Sequence, residues 1–286
     1  MGTAAAGGRR PIPDFVIAGF SKCGTTTLFE WLASLPEVSR GGAKEPGFFA
    51  YDDAWRKGWD WYASVVGDPA AGLVGDGSPA YLDPAWSVDA ASRLAEHRPD
   101  VRILILYRDP VERAISHFRH EVRRGREKTA LADVAKALTL DSPYVRASRF
   151  ASGLAPFVER FPPEQMLVIP LDRLGDTGWV AALDHLGLPV RLPPQQVHND
   201  SSSKRSYTPA MRLLYDRGII QKLERRVPAA LRRTGGRLLL RRPVGAAAPT
   251  GDVRQALPPE VGALLRDEWE RFHEMIVPLR SVPEAG

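Results

Sequence analysis

The chain has 286 residues, enough for one large α/β domain or two small ones, and either would bury a substantial core. Hydrophobic residues make up 44% of it and charged residues 26%, a composition typical of globular proteins that excludes wholesale disorder. Cys23 is the only cysteine, which excludes an internal disulfide and a thiolate metal site. The six histidines show no spacing typical of metal ligands, so we expect no metal.

The amino-terminal segment, residues 1–12, is rich in small residues and lacks an apolar run. We expect it to be flexible and not to act as a secretory signal. No later stretch has the length of apolar sequence that a membrane span requires. We therefore expect a cytoplasmic protein in which residues 13–286 form a single domain, with a core at 13–190 and a basic and helical region at 200–286.

Buried strands alternate with helices along the first two thirds of the chain. An apolar run at 15–19 leads through a loop of small residues into a predicted helix at 25–35. The run at 101–107 is almost continuously apolar, as expected for a parallel strand covered on both faces, and a helix is predicted at 110–124. A third strand is predicted at 166–170. This order predicts an α/β, P-loop-like fold of three layers, with a central parallel sheet flanked by helices.

Positive charge is concentrated near the carboxyl terminus. Residues 212–242 contain ten basic and two acidic residues, a local charge of +8, although the whole chain carries only +5. Three interpretations stay open: a solvated basic helix, a site for an anionic acceptor, or a peripheral contact with a membrane surface. Charge confined to one segment argues against nucleic-acid binding. A helical stripe at 258–279 is expected to dock on the core, and nothing in the sequence specifies an oligomeric state.

The loop at 19–27 lies between the first strand and the first helix, where backbone N–H groups and the helix dipole favour an anion. Gly19 and Gly24 are five residues apart, as in the Walker A motif of nucleotide triphosphatases. That motif needs a lysine directly after the second glycine, where this chain has Thr25, and its lysine is instead inside the loop at Lys22. The loop therefore suits a single 5′-phosphate that bears a transferable group. A kinase or nucleotide hydrolase with a degenerate P-loop stays an alternative, as does a βα turn without a ligand.

Two segments resemble the motifs of sulfotransferases that use 3′-phosphoadenosine 5′-phosphosulfate (PAPS). Residues 21–28 resemble that family's 5′-phosphosulfate loop, and 107–116 resemble its 3′-phosphate motif. The resemblance is closest to the glycan branch, the heparan sulfate sulfotransferases, and runs from about Pro13 to Leu188. It implies a bacterial-type enzyme that releases PAP, and a composition rich in Ala, Arg, Gly and Pro is typical of a GC-rich bacterial genome. The cofactor contacts that it implies are Ser21, Lys22, Cys23, Gly24, Thr25, Thr26, Thr27, Arg108, Ser116 and, on a final basic loop, Lys204 and Arg205.

The resemblance also implies catalytic roles. Lys22 is the candidate cation at the leaving phosphate, and Glu45 the candidate base for the acceptor hydroxyl. Two departures from the glycan enzymes weaken a heparan-like acceptor: Gly47 replaces a polar residue, and Asp76-Gly77 replaces a Glu-Lys pair. Asp76 is a second candidate base. We expect a hydroxyl acceptor of the carbohydrate, lipid or secondary-metabolite class; the alternative is a phosphonucleotide-binding protein without catalysis.

Overall fold

The computed structural model describes residues 13–42, 44–193 and 250–284. The predicted contacts Lys204 and Arg205 and the basic segment 212–242 lie outside these residues. No helix within the described ranges is long and apolar enough to cross a membrane.

Six strands form one parallel sheet in the order β2-β3-β1-β4-β5-β6. The α/β prediction with a central parallel sheet is confirmed. The strands are β1 (Phe15–Ile17), β2 (Val38–Ser39), β3 (Leu73–Asp76), β4 (Arg102–Tyr107), β5 (Met166–Pro170) and β6 (Arg280–Ser281).

Helices connect successive strands of this sheet and cover it. Before β4 they are α1 (Thr25–Leu32), α2 (Asp52–Trp55), α3 (Gly58–Val66) and α4 (Ser87–His97). Between β4 and β5 they are α5 (Pro110–Arg124), α6 (Val134–Ala137), α7 (Pro143–Arg146) and α8 (Phe150–Val158). After β5 come α9 (Thr177–His185), α10 (Thr250–Ala256) and α11 (Pro259–Ile276).

The chain changes the side of β1 on which it adds strands to the sheet. The chain adds β2 and β3 on one side of β1 and then returns to place β4 on the other side. The register pairs Phe15 with Arg102 and Ile17 with Leu104, so β1 and β4 end at the same edge of the sheet. Such a switch point is where open α/β sheets bind ligands, because the connections after the two strands diverge and leave a crevice.

The carboxyl-terminal helix docks on the core, as its apolar stripe predicts. Phe272 and Ile276 of α11 belong to the main core around the sheet. Glu268 on the same helix is buried and accepts hydrogen bonds from Arg149 Nε at 3.2 Å and from Ser152 N at 2.9 Å. A smaller apolar cluster joins α5, α6 and α7 to α10 and the start of α11.

Candidate active site

The loop between β1 and α1 is built for close approach to an anion. Gly19 passes directly over β4, where a Cβ would lie 2.0 Å from Leu106 N, so only glycine fits. Two later positions have left-handed backbone, Lys22 with φ +72° and Gly24 with φ +88°. A lysine in this conformation is strained, which is typical of functional loops. Helix α1 begins at Thr25 with no side-chain cap and no acidic residue in its first turn. Its first N–H groups and the helix dipole therefore remain available to a phosphate.

Lys22 is held against the helix that follows β4. Its Nζ lies 3.3 Å from His120 Nδ1 on α5. An ammonium group has no acceptor, so the imidazole nitrogen accepts this hydrogen bond. Burial, followed by the Lys22 charge, lowers the pKa of His120 to about 3 and keeps the ring neutral at physiological pH.

The second predicted phosphate motif begins where β4 ends. Arg108 Nη2 donates to Glu112 Oε2 at 2.7 Å, and its buried Nε has no hydrogen-bond partner among the described residues. Asp109 caps α5 by accepting from Glu112 N at 2.9 Å and forms an ion pair with Arg254. Ser116 lies two turns into the same helix. Because β1 and β4 are neighbours, Arg108 and the Lys22 loop meet at the switch point.

A buried cation, Arg113, lies behind the loop. Its side chain is fully buried; its Nη2 donates to His117 Nδ1 at 2.9 Å and to Tyr144 O at 3.0 Å. Nε and Nη1 have no hydrogen-bond partner within the described part of the chain. Burial lowers the pKa of Arg113 to about 10, so the guanidinium stays charged at neutral pH. Its charge acts on the Cys23 thiol, whose pKa burial nevertheless raises to about 12, which makes Cys23 a structural rather than a reactive cysteine.

A cavity of about 410 Å³ opens beside the loop. Its walls come from the loop, from the segment at Glu45, from the turn after β3 and from α5 and α7, so the fold brings together residues far apart in sequence. The lining includes Ser21, Glu45, Ser78, Trp86, His117 and Arg146. Glu45 is exposed and forms an ion pair with Lys44. The cavity therefore touches both the loop and one of the two candidate bases.

Comparison with known proteins identifies the family. A family model described as a sulfotransferase domain matches residues 12–175, more than half of the chain. The chain belongs to the sulfotransferase family.

Curated relatives of this sulfotransferase family member include glycan enzymes. It is 28% identical over 174 residues to mouse heparan sulfate glucosamine 3-O-sulfotransferase 3B1, an alignment covering 58% of the chain and 43% of the relative. It is 30% identical over 200 residues to human heparan sulfate glucosamine 3-O-sulfotransferase 6, and this alignment covers 65% of the chain and 55% of the relative. The chain thus spans about half the length of the curated relatives it matches.

A solved structure agrees with the fold. A sulfotransferase from Alicyclobacillus acidocaldarius superimposes with a TM-score of 0.59 at 19% identity, covering 92% of this chain and 95% of that one. At this identity the likeness shows the P-loop-like fold alone.

The structure gives a reason for glycine at position 47. Gly47 has φ +62°, and a Cβ there would lie 2.4 Å from the ring of Tyr51. Its N–H donates to Ser78 Oγ at 3.0 Å, which ties the Glu45 segment to the turn after β3. At Gly77 a Cβ would lie 2.8 Å from the ring of Phe29, so a larger residue there requires this ring to move. Gly47 is the more constrained of the two, because its backbone is also left-handed.

Asp76, the second candidate base, lies beneath the cavity and not in its wall. The carboxylate is fully buried and accepts from the hydroxyls of Tyr62 at 3.0 Å, Ser78 at 2.6 Å and Tyr81 at 2.5 Å. Burial raises the pKa of Asp76 to about 6, although the three hydroxyl hydrogen bonds oppose the rise. Of the two candidate bases, only Glu45 lines the cavity. Asp76 instead positions Ser78, which does.

The remaining predicted contacts divide by exposure. Within the loop, Cys23 and Thr25 are buried, Thr26 is exposed, and Ser21, Lys22, Gly24 and Thr27 are partly exposed. The described residues contain no cluster of side chains suited to a metal ion. No local pattern in the sequence predicts the aromatic wall formed by Tyr51 and Trp86, whose rings are 5.0 Å apart edge to face. The contact between Arg113 and His117 was not predicted either, although their spacing of four residues on a helix is a signal for it.

Proposed function

We propose that this protein transfers the sulfuryl group of PAPS to a hydroxyl of a carbohydrate, lipid or secondary-metabolite acceptor. One observation carries the proposal: the two segments that resemble phosphate-binding motifs meet at a switch point, beside a cavity lined by the carboxylate of Glu45. The residues fit the nucleotide. The loop is too tight for a Cβ at Gly19, and the buried Nε of Arg108 is a donor without a partner among the described residues.

PAPS supplies an activated sulfur: the acceptor oxygen forms the new S–O bond, and the bond from sulfur to the bridging oxygen breaks, leaving its electron pair on the 5′-phosphate of PAP. Glu45 takes the proton of the acceptor hydroxyl. The Lys22 ammonium and the N–H groups at the start of α1 stabilise the charge that develops on the phosphate. Arg108 and Ser116 bind the 3′-phosphate and so set the register of the nucleotide.

The charges of the cavity support an acceptor different from heparan sulfate. Both arginines in its wall form ion pairs with acidic residues of the same wall, Arg146 with Asp83 at 3.3 Å and Arg126 with Glu121 at 3.5 Å. Paired in this way, they offer little attraction to a sulfated polymer. The aromatic edge of Trp86 offers an apolar surface for a hydroxylated ring. A peripheral membrane contact through residues 212–242 would suit a lipid-linked acceptor.

Calorimetry with PAP and with Mg-ATP tests the nucleotide assignment. We expect PAP to bind and ATP to bind weakly, because the lysine of the Walker A motif is replaced by Thr25. Tight, magnesium-dependent ATP binding without PAP binding would instead identify a kinase or nucleotide hydrolase.

Transfer from radiolabelled PAPS to pooled acceptors tests the catalytic roles. We expect Lys22→Met and Glu45→Gln each to lower transfer by about 10²–10⁴-fold, and Glu45→Gln to leave PAP affinity unchanged. Glu164→Gln is a matched control, because Glu164 is exposed and precedes β5 at the opposite edge of the sheet. PAP binding without transfer to any acceptor, by wild type or variants, would favour the non-catalytic alternative.

A further inference from the structure

His117 is a cavity-lining side chain to which the mechanism above gives no role. It follows Ser116 on α5 and faces the same cavity as Ser21 of the phosphate loop and Glu45. Its ring also packs edge to face against Tyr144, with centroids 5.1 Å apart and an interplanar angle of 86°. This part of the cavity wall is therefore an imidazole held by Arg113 and Tyr144, neither of which is among the residues that line the cavity.

Arg113 determines where the proton of His117 lies. The 2.9 Å hydrogen bond joins Arg113 Nη2 to His117 Nδ1, and a guanidinium only donates. His117 Nδ1 must accept, so the single proton of the neutral imidazole lies on Nε2. Arg113 is itself fixed by its bond to Tyr144 O and by complete burial. The two ring nitrogens diverge, so Nε2 is the one turned away from Arg113.

The surroundings of His117 keep it neutral. Burial first, and then the Arg113 charge, lowers the pKa of His117 to about 3. His120 and Lys22 and, from α7, Arg146 add to the same effect. A neutral ring keeps the Nε2 proton throughout the physiological pH range and can act as a donor but not as a general acid.

His117 and Ser21 of the phosphate loop line the same cavity, so the ring faces the place where the loop would hold the leaving group. We propose that His117 donates a hydrogen bond from Nε2–H to an oxygen of the sulfuryl group of bound PAPS, and that Arg113 is its positioning residue. This inference rests on the proposed function. It gives the sulfuryl group a donor from α5 in addition to the cation and N–H groups that hold the phosphate.

Binding of PAPS compared with PAP tests the contact without an identified acceptor, since the two ligands differ by the sulfuryl group. We expect His117→Phe to weaken PAPS binding about fivefold relative to PAP, which corresponds to one neutral hydrogen bond. His117→Gln should retain the wild-type ratio, because its amide N–H can replace Nε2–H. His97→Phe is the matched control: His97 packs against Trp55 and Trp59 and should leave the ratio unchanged.

The outcomes separate this inference from the proposed function. If wild type binds neither PAP nor PAPS, the proposed function fails and this inference with it. If wild type binds both and His117→Phe leaves their ratio unchanged, or weakens both equally, this inference alone is wrong. If His117→Gln raised the ratio of the PAPS dissociation constant to the PAP dissociation constant as much as His117→Phe, that result would also overturn this inference.

Nitrogen NMR of ¹⁵N-histidine-labelled protein gives a second test that needs no variant at His117. We expect His117 to show a bare Nδ1 and a protonated Nε2 from pH 5 to 8, and Arg113→Lys to alter its Nδ1 resonance. A proton on Nδ1, or titration within this range, would refute the assigned tautomer.

Discussion

The carboxylate of Asp76 gives the fold an unusual dependence on pH. Replacing it with asparagine keeps its size and removes its ionisation. Burial raises the pKa of Asp76 from 3.8 to about 6, a difference of about two pH units, or about 3 kcal/mol at 1.4 kcal/mol per unit. A raised pKa means that the folded state prefers the protonated form. The contribution of Asp76 to stability is therefore complete below pH 4 and is lost as the pH rises through 6.

Urea unfolding of wild type and Asp76→Asn between pH 4 and 7.5 measures this effect. We expect the free energy of unfolding of wild type, relative to that of the variant, to fall by up to about 3 kcal/mol across this range. Asp53→Asn, at an exposed position of α2, should show no such trend. A difference between wild type and Asp76→Asn that stays constant with pH would refute the argument. Loss of transfer by about 10³-fold in a well-folded Asp76→Asn protein would return Asp76 to the role of base.

Two further variants test the phosphate site. Gly19→Ala would place a Cβ 2.0 Å from Leu106 N, and we expect it to separate β1 from β4, to cost about 2–3 kcal/mol by thermal unfolding and to weaken PAP binding. Gly262→Ala in α11 is the control: the nearest atom to its Cβ would be 3.5 Å away, so the substitution should be neutral or stabilising. A Gly19→Ala protein with the melting temperature of wild type would contradict the close approach of Gly19 to β4. Arg108→Met should weaken PAP binding about 10–100-fold and leave 5′-AMP binding nearly unchanged, since only PAP has a 3′-phosphate. Equal weakening of both nucleotides would remove Arg108 from the 3′-phosphate site.

Local signals in the sequence predicted the elements around the proposed nucleotide site. Helix α5 has its predicted bounds because Asp109 and Pro110 begin it and Gly125, with φ +68°, ends it. Strand β5 also matches its prediction. Strand β1 is shorter than expected, three residues instead of five, because the chain leaves the sheet at Gly19 to pass over β4.

The elements around the cavity were less predictable from the sequence. Strands β2 and β3 have two and four residues, too few for an alternating pattern to identify them. The cavity depends on long-range packing that no local pattern encodes: Tyr51 meets Trp86, and His117 is fixed by Arg113. Asp76 illustrates the same limit, because its residue type gives no sign of its burial or of the three hydroxyls that donate to its carboxylate.

The switch point also separates two sets of selective constraints. Gly19 in the loop approaches β4 so closely that a larger residue does not fit. The opposite wall of the cavity comes from segments that connect the strands and do not pair with them. Under the proposed function, substitutions at Trp86, Arg126 and Arg146 would change the acceptor preference of this chain and leave its binding of the nucleotide unchanged.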